Sequence, residues 1–206
     1  SLADYYVRVL ETQNTDTQSK STDKFELRGD IVLDALPGTR NYALGAGPTF
    51  TWTKNGNSDN PDFDNFTLEF STASDFSADV TPIATVDFTA AGCAADDTCL
   101  YDWSSTFTQA NFGSKISGTQ TYYLRVLDST NADTASSSAN FGVGLRQFKI
   151  MGRISLDALP GTQLYKVGTP VTFTWSREGN STATYFDNFT LQYSTSNTFA
   201  SIAGSM

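Results

Sequence analysis

The chain repeats itself. Gly29-Asp30-Ile31-Val32-Leu33-Asp34-Ala35-Leu36-Pro37-Gly38-Thr39 returns as Gly152-Arg153-Ile154-Ser155-Leu156-Asp157-Ala158-Leu159-Pro160-Gly161-Thr162, a spacing of 123 residues. Self-similarity at one long, fixed period marks tandem domains, each a copy of the same folding unit. A second pair, Tyr5-Tyr6-Val7-Arg8-Val9-Leu10 and Tyr122-Tyr123-Leu124-Arg125-Val126-Leu127, is spaced by 117 residues. Together these anchors frame one whole unit over 29–147. Residues 1–28 read as the closing F and G strands of a preceding unit, and residues 148–206 as the opening half, strands A to C, of the next. The expectation is either a window from a longer array or a subunit whose end segments are completed by neighbouring copies.

Within each unit the hydrophobic pattern has period two. Phe66, Leu68 and Phe70 alternate with Asn65, Thr67 and Glu69, and Phe189, Leu191 and Tyr193 alternate with Asn188, Thr190 and Gln192. Thr49-Phe50-Thr51-Trp52 and Thr172-Phe173-Thr174-Trp175 follow the same rule. Alternation of this kind belongs to half-buried antiparallel strands, and no stretch of useful length carries a helical period. Leu-Pro-Gly at 36–38 and 159–161, Asn55-Gly56-Asn57, Glu178-Gly179-Asn180 and the polar run 128–133 supply turns at the spacing of a sandwich. The chain is therefore expected to be all-β, with about seven short strands per unit. They are lettered A to G and placed near 31–36, 49–53, 65–71, 83–88, 100–104, 122–127 and 137–143. The predicted core residues are Phe50, Trp52 and Tyr122, with Phe173, Trp175 and Tyr5 at the matching positions of the neighbouring units.

A Trp in strand B (Trp52, Trp175), a Tyr-x-hydrophobic-x-hydrophobic strand F (Tyr122, Leu124, Val126; Tyr5, Val7, Val9) and a polar F–G loop resemble immunoglobulin-like and fibronectin type III-like sandwiches. Trp on B rather than C, with no inter-sheet cysteine pair, is closer to fibronectin type III than to antibody domains. The run from Leu159-Pro160-Gly161-Thr162 to Gly168-Thr169-Pro170-Val171-Thr172-Phe173-Thr174-Trp175 is similar to the opening of Ser/Thr-rich cell-wall and surface-protein domains. The resemblance implies the sandwich fold and a surface-layer setting, and it transfers no site residues.

Charge and composition narrow the function classes. The net charge is −9 with a pI near 4.3, the wrong sign for a nucleic-acid backbone or an anionic bilayer surface. No apolar run reaches the length of a transmembrane helix, so no membrane insertion is expected in this segment. The 206 residues contain no His, which removes Ser-His-Asp and Cys-His catalysis and the commonest zinc ligand. No cofactor and no catalytic residue are expected.

Cys93 and Cys99 are the only cysteines, six apart in a loop-like stretch. They read as a local disulfide in a secreted context, the alternative being two free thiols in a reducing compartment. Sequons stand at Asn65-Phe66-Thr67, Asn180-Ser181-Thr182 and Asn188-Phe189-Thr190. Asn65 and Asn188 are equivalent, 123 apart, on the expected outward face of strand C, where a glycan could project into water. The acids Asp59, Asp62 and Asp64, the pair Asp96 and Asp97, and Asp30 with Asp34 invite a calcium reading. None fits a known loop pattern, and they read as solvated acids. Arg28-Gly29-Asp30 spells an integrin tripeptide, but its copy reads Met151-Gly152-Arg153 and it falls at a unit junction, so it reads as coincidence.

The functional expectation is a structural component of an extracellular, cell-surface fibril, stalk or appendage, glycosylated and built from end-to-end repeats, whose partners are neighbouring repeats or copies of itself. The rivals are a carbohydrate-binding or adhesive module, with Tyr42, Tyr101 or Tyr165 as an aromatic platform, and an ancillary domain of a secreted hydrolase.

Overall fold

The computed structural model describes residues 4–13, 16, 18–26, 29–55, 63, 65–87, 93, 97–130, 135, 146–159, 164–166, 168–179, 186 and 188–205. The chain is mostly β, in several sheets with one short helix, in accord with the all-β expectation. It divides into two compact units: Ser1–Leu36, Phe50–Tyr101 and Tyr122–Arg146 form the first, and Pro37–Thr49, Asp102–Thr121 and Gln147–Met206 the second.

The first unit opens with four short strands, β1 (Asp4–Tyr5), β2 (Arg8–Leu10), β3 (Gln18–Lys20) and β4 (Phe25–Glu26). β1 pairs with β4 and β2 with β3, both antiparallel. β5 (Asp30–Leu33) pairs antiparallel with β7 (Thr49–Asn55), and β10 (Thr98–Asp102) lies on the other side of β7, giving the order β10-β7-β5. A second sheet joins β11 (Tyr122–Asp128) to β8 (Asn65–Ser71) and β8 to β9 (Thr81–Asp87), antiparallel throughout. In β9 a bulge falls beside Pro82, between the partners of Leu68 and Glu69. Pro has no N–H to give the ladder and is tolerated at such a place.

The alternation read from the sequence decides which side of each strand is buried. Phe50 and Trp52 on β7, Phe66, Leu68 and Phe70 on β8, and Tyr122, Leu124 and Val126 on β11 are all buried, as are Ile31, Leu33 and Cys99. The Trp52 ring meets Phe66 edge-on at 5.7 Å, a contact that ties β7 of one sheet to β8 of the other. Each such side chain taken from water contributes about 1.5–3 kcal/mol. The stretch 137–143, where the sequence suggests strand G, lies outside the described residues.

In the second unit, β6 (Asn41–Ala43) runs parallel to β12 (Gln147–Met151), with Ile150 opposite Tyr42. Residues 102–121 carry a cluster of rings that no period-two pattern announces. Trp103 stands 4.2 Å from Phe107, 5.0 Å from Phe112 and 6.0 Å from Phe148 by ring centroids. Phe112 ends the one helix among the described residues, α1 (Gln109–Phe112), which passes into a 3-10 turn at Gly113–Lys115. Four residues are too short to show a helical hydrophobic period, which is why the sequence does not reveal it. β13 (Arg153–Leu156) pairs antiparallel with β14 (Trp175–Glu178), and β15 (Gln192–Tyr193) with β16 (Gly204–Ser205).

The register of β13–β14 is that of β5–β7 moved on by 123 positions. Asp30↔Asn55 and Leu33↔Trp52 become Arg153↔Glu178 and Leu156↔Trp175. The hydrogen bond from Asp34 N to Thr51 O (3.0 Å) recurs from Asp157 N to Thr174 O (3.0 Å). Phe63 against Phe66 recurs as Phe186 against Phe189. Phe70↔Thr81 recurs as Tyr193↔Gly204, and the Phe76 turn, with φ of 57°, recurs at Phe199 with φ of 52°. Thus the sequence repeat is also a repeat of pairing and turn geometry.

The repeat is not equally covered in its two copies. Trp175 and Tyr5 are each 42% exposed and Phe173 is half-buried. These three positions, placed in the core from sequence, are surface or boundary positions here. Trp175 keeps an edge-on contact with Phe189 at 6.4 Å, and the ring beside Tyr5 is that of Phe25, 5.8 Å away.

Candidate functional site

Where one repeat gives way to the next, the connection is one residue. β12 ends at Met151, β13 begins at Arg153, and Gly152 lies between them. A Cβ on Gly152 would stand 2.6 Å from the Phe186 ring, as one on Gly29 would from the Phe63 ring. No larger residue fits without moving that ring, so both junctions demand glycine.

Three further contacts hold this place. Leu44 N donates to Met151 O (3.0 Å), fastening the β6 turn to the end of β12. Gly45 follows in the left-handed region (φ 74°), and a Cβ there would meet Arg153 Nη1 at 2.7 Å and Glu178 Oε2 at 3.4 Å. Glycine thus makes room for a cross-strand pair of opposite charge, Arg153 and Glu178. On the α1 side, Gly179 N donates to Gln109 Oε1 (2.9 Å), and a Cβ on Gly179 would sit 3.2 Å from Ile116 Cδ1. Gly179 and Ile116 are buried. None of these residues is singled out by sequence reasoning except as turn or repeat markers. Gly179 in the Glu-Gly-Asn turn was the one available signal.

The residues that sequence reasoning does single out are dispersed. Cys93 and Cys99 are joined in a disulfide, with Cys99 buried on β10. Asn65 is half-buried at the start of β8, where its carbonyl accepts from Ser129 N (2.8 Å), and Asn188 is exposed. Asn180 lies outside the described residues, as do Asp59, Asp62, Asp64, Asp96 and Arg28. Asp97 accepts the Lys54 amide proton through its carbonyl (3.0 Å). Asp34 accepts from Thr51 Oγ1, and Asp30 is exposed on β5. Among the described residues no three His, Cys, Asp or Glu side chains come together as a metal site would require. Also among them, no helix is long and apolar enough to cross a membrane.

Of the three tyrosines expected to offer an aromatic platform, Tyr101 is half-buried on β10. Tyr42 is buried, its hydroxyl donating to Pro37 O (2.9 Å) and its ring 5.8 Å from Phe148. Burial pushes its pKa up to about 12, against a smaller opposing pull from Arg40. Tyr165 is 43% exposed but stands edge-on to Phe173.

At position 54 a cation serves the fold. Lys54 is fully buried and donates from Nζ to Phe63 O (3.3 Å), and its counterpart Arg177 donates from Nη1 to Phe186 O (3.0 Å). In both copies a basic side chain at the end of the second strand holds the carbonyl of the ring that overlies the junction glycine.

No family model, no curated protein and no solved structure matches the chain.

Proposed function

We propose that the chain is a structural element of an extracellular fibril, stalk or surface appendage, built from end-to-end immunoglobulin-like sandwiches and carrying glycans at exposed sequons such as Asn188. The observation that carries this is the recurrence of register, turn and ring geometry at an interval of 123 residues, with a single glycine between copies. Folding units that recur in this way generate length, and length is the useful property of a stalk.

The immunoglobulin-like assignment draws on strand order. β10-β7-β5 corresponds to E-B-A, and β11-β8-β9 corresponds to F-C-C′. β12 then serves as the last strand, G, and runs on into strand A of the next unit. In such an array the mechanism is geometric. Each sandwich is a stiff bead, its joints set the pitch, and Ser/Thr-rich loops with attached sugars form the hydrated outer coat. It needs no cofactor and no catalytic residue.

Electron microscopy of native material tests this. Thin fibres with an axial repeat on the order of 35–45 Å, one sandwich and its joint, are the expected result. Discrete globular particles would overturn it and move the search to ligands.

A further inference from the structure

The segment that carries α1 has no counterpart in the sequence pattern, yet it supplies the side chains that meet the following repeat. Resting on the array proposed above, we infer that residues 102–116 and the Gly45 turn form a docking pad. The pad receives the start of the first strand and the turn after the second strand of a following repeat, and it fixes the joint between repeats as a rigid connection.

The pad offers three features: an acceptor, Gln109 Oε1; an apolar surface, Ile116; and a side-chain-free recess at Gly45. The following repeat brings a matching set: the Gly179 N–H, the bare Cα of Gly179, and the Arg153 guanidinium with Glu178 beside it. A main-chain connection one residue long adds little freedom, and its path at Gly152 is confined by Phe186. Tandem domains move against each other by default when the contact between them is small and the linker slack. Here the linker is a single glycine, and the contact consists of a hydrogen bond at Gln109, an apolar approach at Ile116 and the seating of Arg153 beside Gly45.

The Gly45 turn recurs in the second copy. Gly168 is the counterpart of Gly45 and has the same left-handed turn (φ 85°), and among the described residues nothing lies within 4 Å of the place a Cβ would take. The recess therefore belongs to the repeat itself, and a following repeat fills it. At the receiving end the repeats differ in charge. Arg153 and Glu178 of the later copy stand where the earlier copy has Asp30 and Asn55.

Pulsed electron paramagnetic resonance on the full chain tests the inference, with nitroxides on Thr119→Cys and Ser176→Cys, both exposed positions. The native cysteines are joined to each other and leave the labels unambiguous. The unaltered joint is expected to give a single narrow distance distribution. Gln109→Ala, which removes the acceptor from an exposed side chain, and Gly179→Val, which drives a side chain against Ile116 and Phe186, are each expected to broaden it. Thermal melts of the same variants check that the sandwich remains folded. Gln109→Ala keeps the test valid if Gly179→Val does not fold. A broad distribution in the unaltered chain overturns the rigid joint, and a narrow one that Gln109→Ala leaves unchanged overturns the pad as what fixes it. Either result leaves the array standing, because loosely joined sandwiches also draw out into fibres. The array is judged separately by microscopy.

Discussion

Tyr42 shows how far a single residue's role depends on what its neighbours bring to it. As part of Asn41-Tyr42-Ala43 it is one more aromatic in a polar stretch, and the sequence allows it to serve as a binding platform. In the fold its ring packs near Phe148 and its hydroxyl donates to Pro37 O. Phe148 lies more than a hundred positions away, a distance over which pattern alone does not reach. Burial raises the Tyr42 pKa from 10.0 to about 12, so folding favours the neutral phenol. Its contribution to stability is present in full below pH 10 and is lost as the pH rises from there through about 12. Tyr122 shifts in the same direction, from burial first and Asp79 second. Absorbance titration should therefore show the Tyr42 phenol ionising well above pH 10, toward about 12. Tyr42→Phe should cost about 1 kcal/mol at neutral pH and flatten the loss of stability above pH 10. A normal tyrosine titration for every ring would refute the assignment.

At the scale of the element, Trp52 and Trp175 form a matched pair in different surroundings. Both face a Phe edge-on, at 5.7 and 6.4 Å, and both sit in the same register opposite a Leu. Trp52 is fully buried and Trp175 is 42% exposed. Trp52→Ala should cost about 3–5 kcal/mol in denaturant melts, and Trp175→Ala clearly less. Equal costs would mean that Trp175 is covered in solution by something beyond the described residues. β7, β8 and β11 were legible in the sequence because strict alternation over several residues admits one face to the core and excludes the other. β12 was passed over, although Gln147-Phe148-Lys149-Ile150 also alternates and Phe25 precedes Phe148 by the same 123 residues. α1 and the contacts of Gln109 and Ile116 were not legible. A four-residue helix has no period, and a polar contact seventy positions away leaves no mark on local pattern.

For the whole molecule, the distribution of burial sets a gradient of stability. Phe66, Leu68, Phe70, Leu124 and Val126 are buried in the paired strands β8 and β11. Arg125 adds an outward ion pair with Glu69 and lies 4.2 Å over the Phe76 ring. β2 and β3 are exposed along nearly all their length, and β13 along all of it. Amide protection follows the free energy of local opening, which falls where few apolar contacts must be broken. Hydrogen exchange on the isolated chain at low concentration should find β8 and β11 most protected, and β2, β3 and β13 exchanging early. Raising the concentration separates two states of the array. If the exposed faces of Val7, Val9 and Trp175 remain open, the gradient stays as it is. If copies of the chain cover one another's faces, protection of β2 and β13 rises with concentration while that of β8 and β11 does not. Uniform protection at every concentration would contradict the gradient itself, since strands this exposed have no apolar burial in the fold to hold their hydrogen bonds closed.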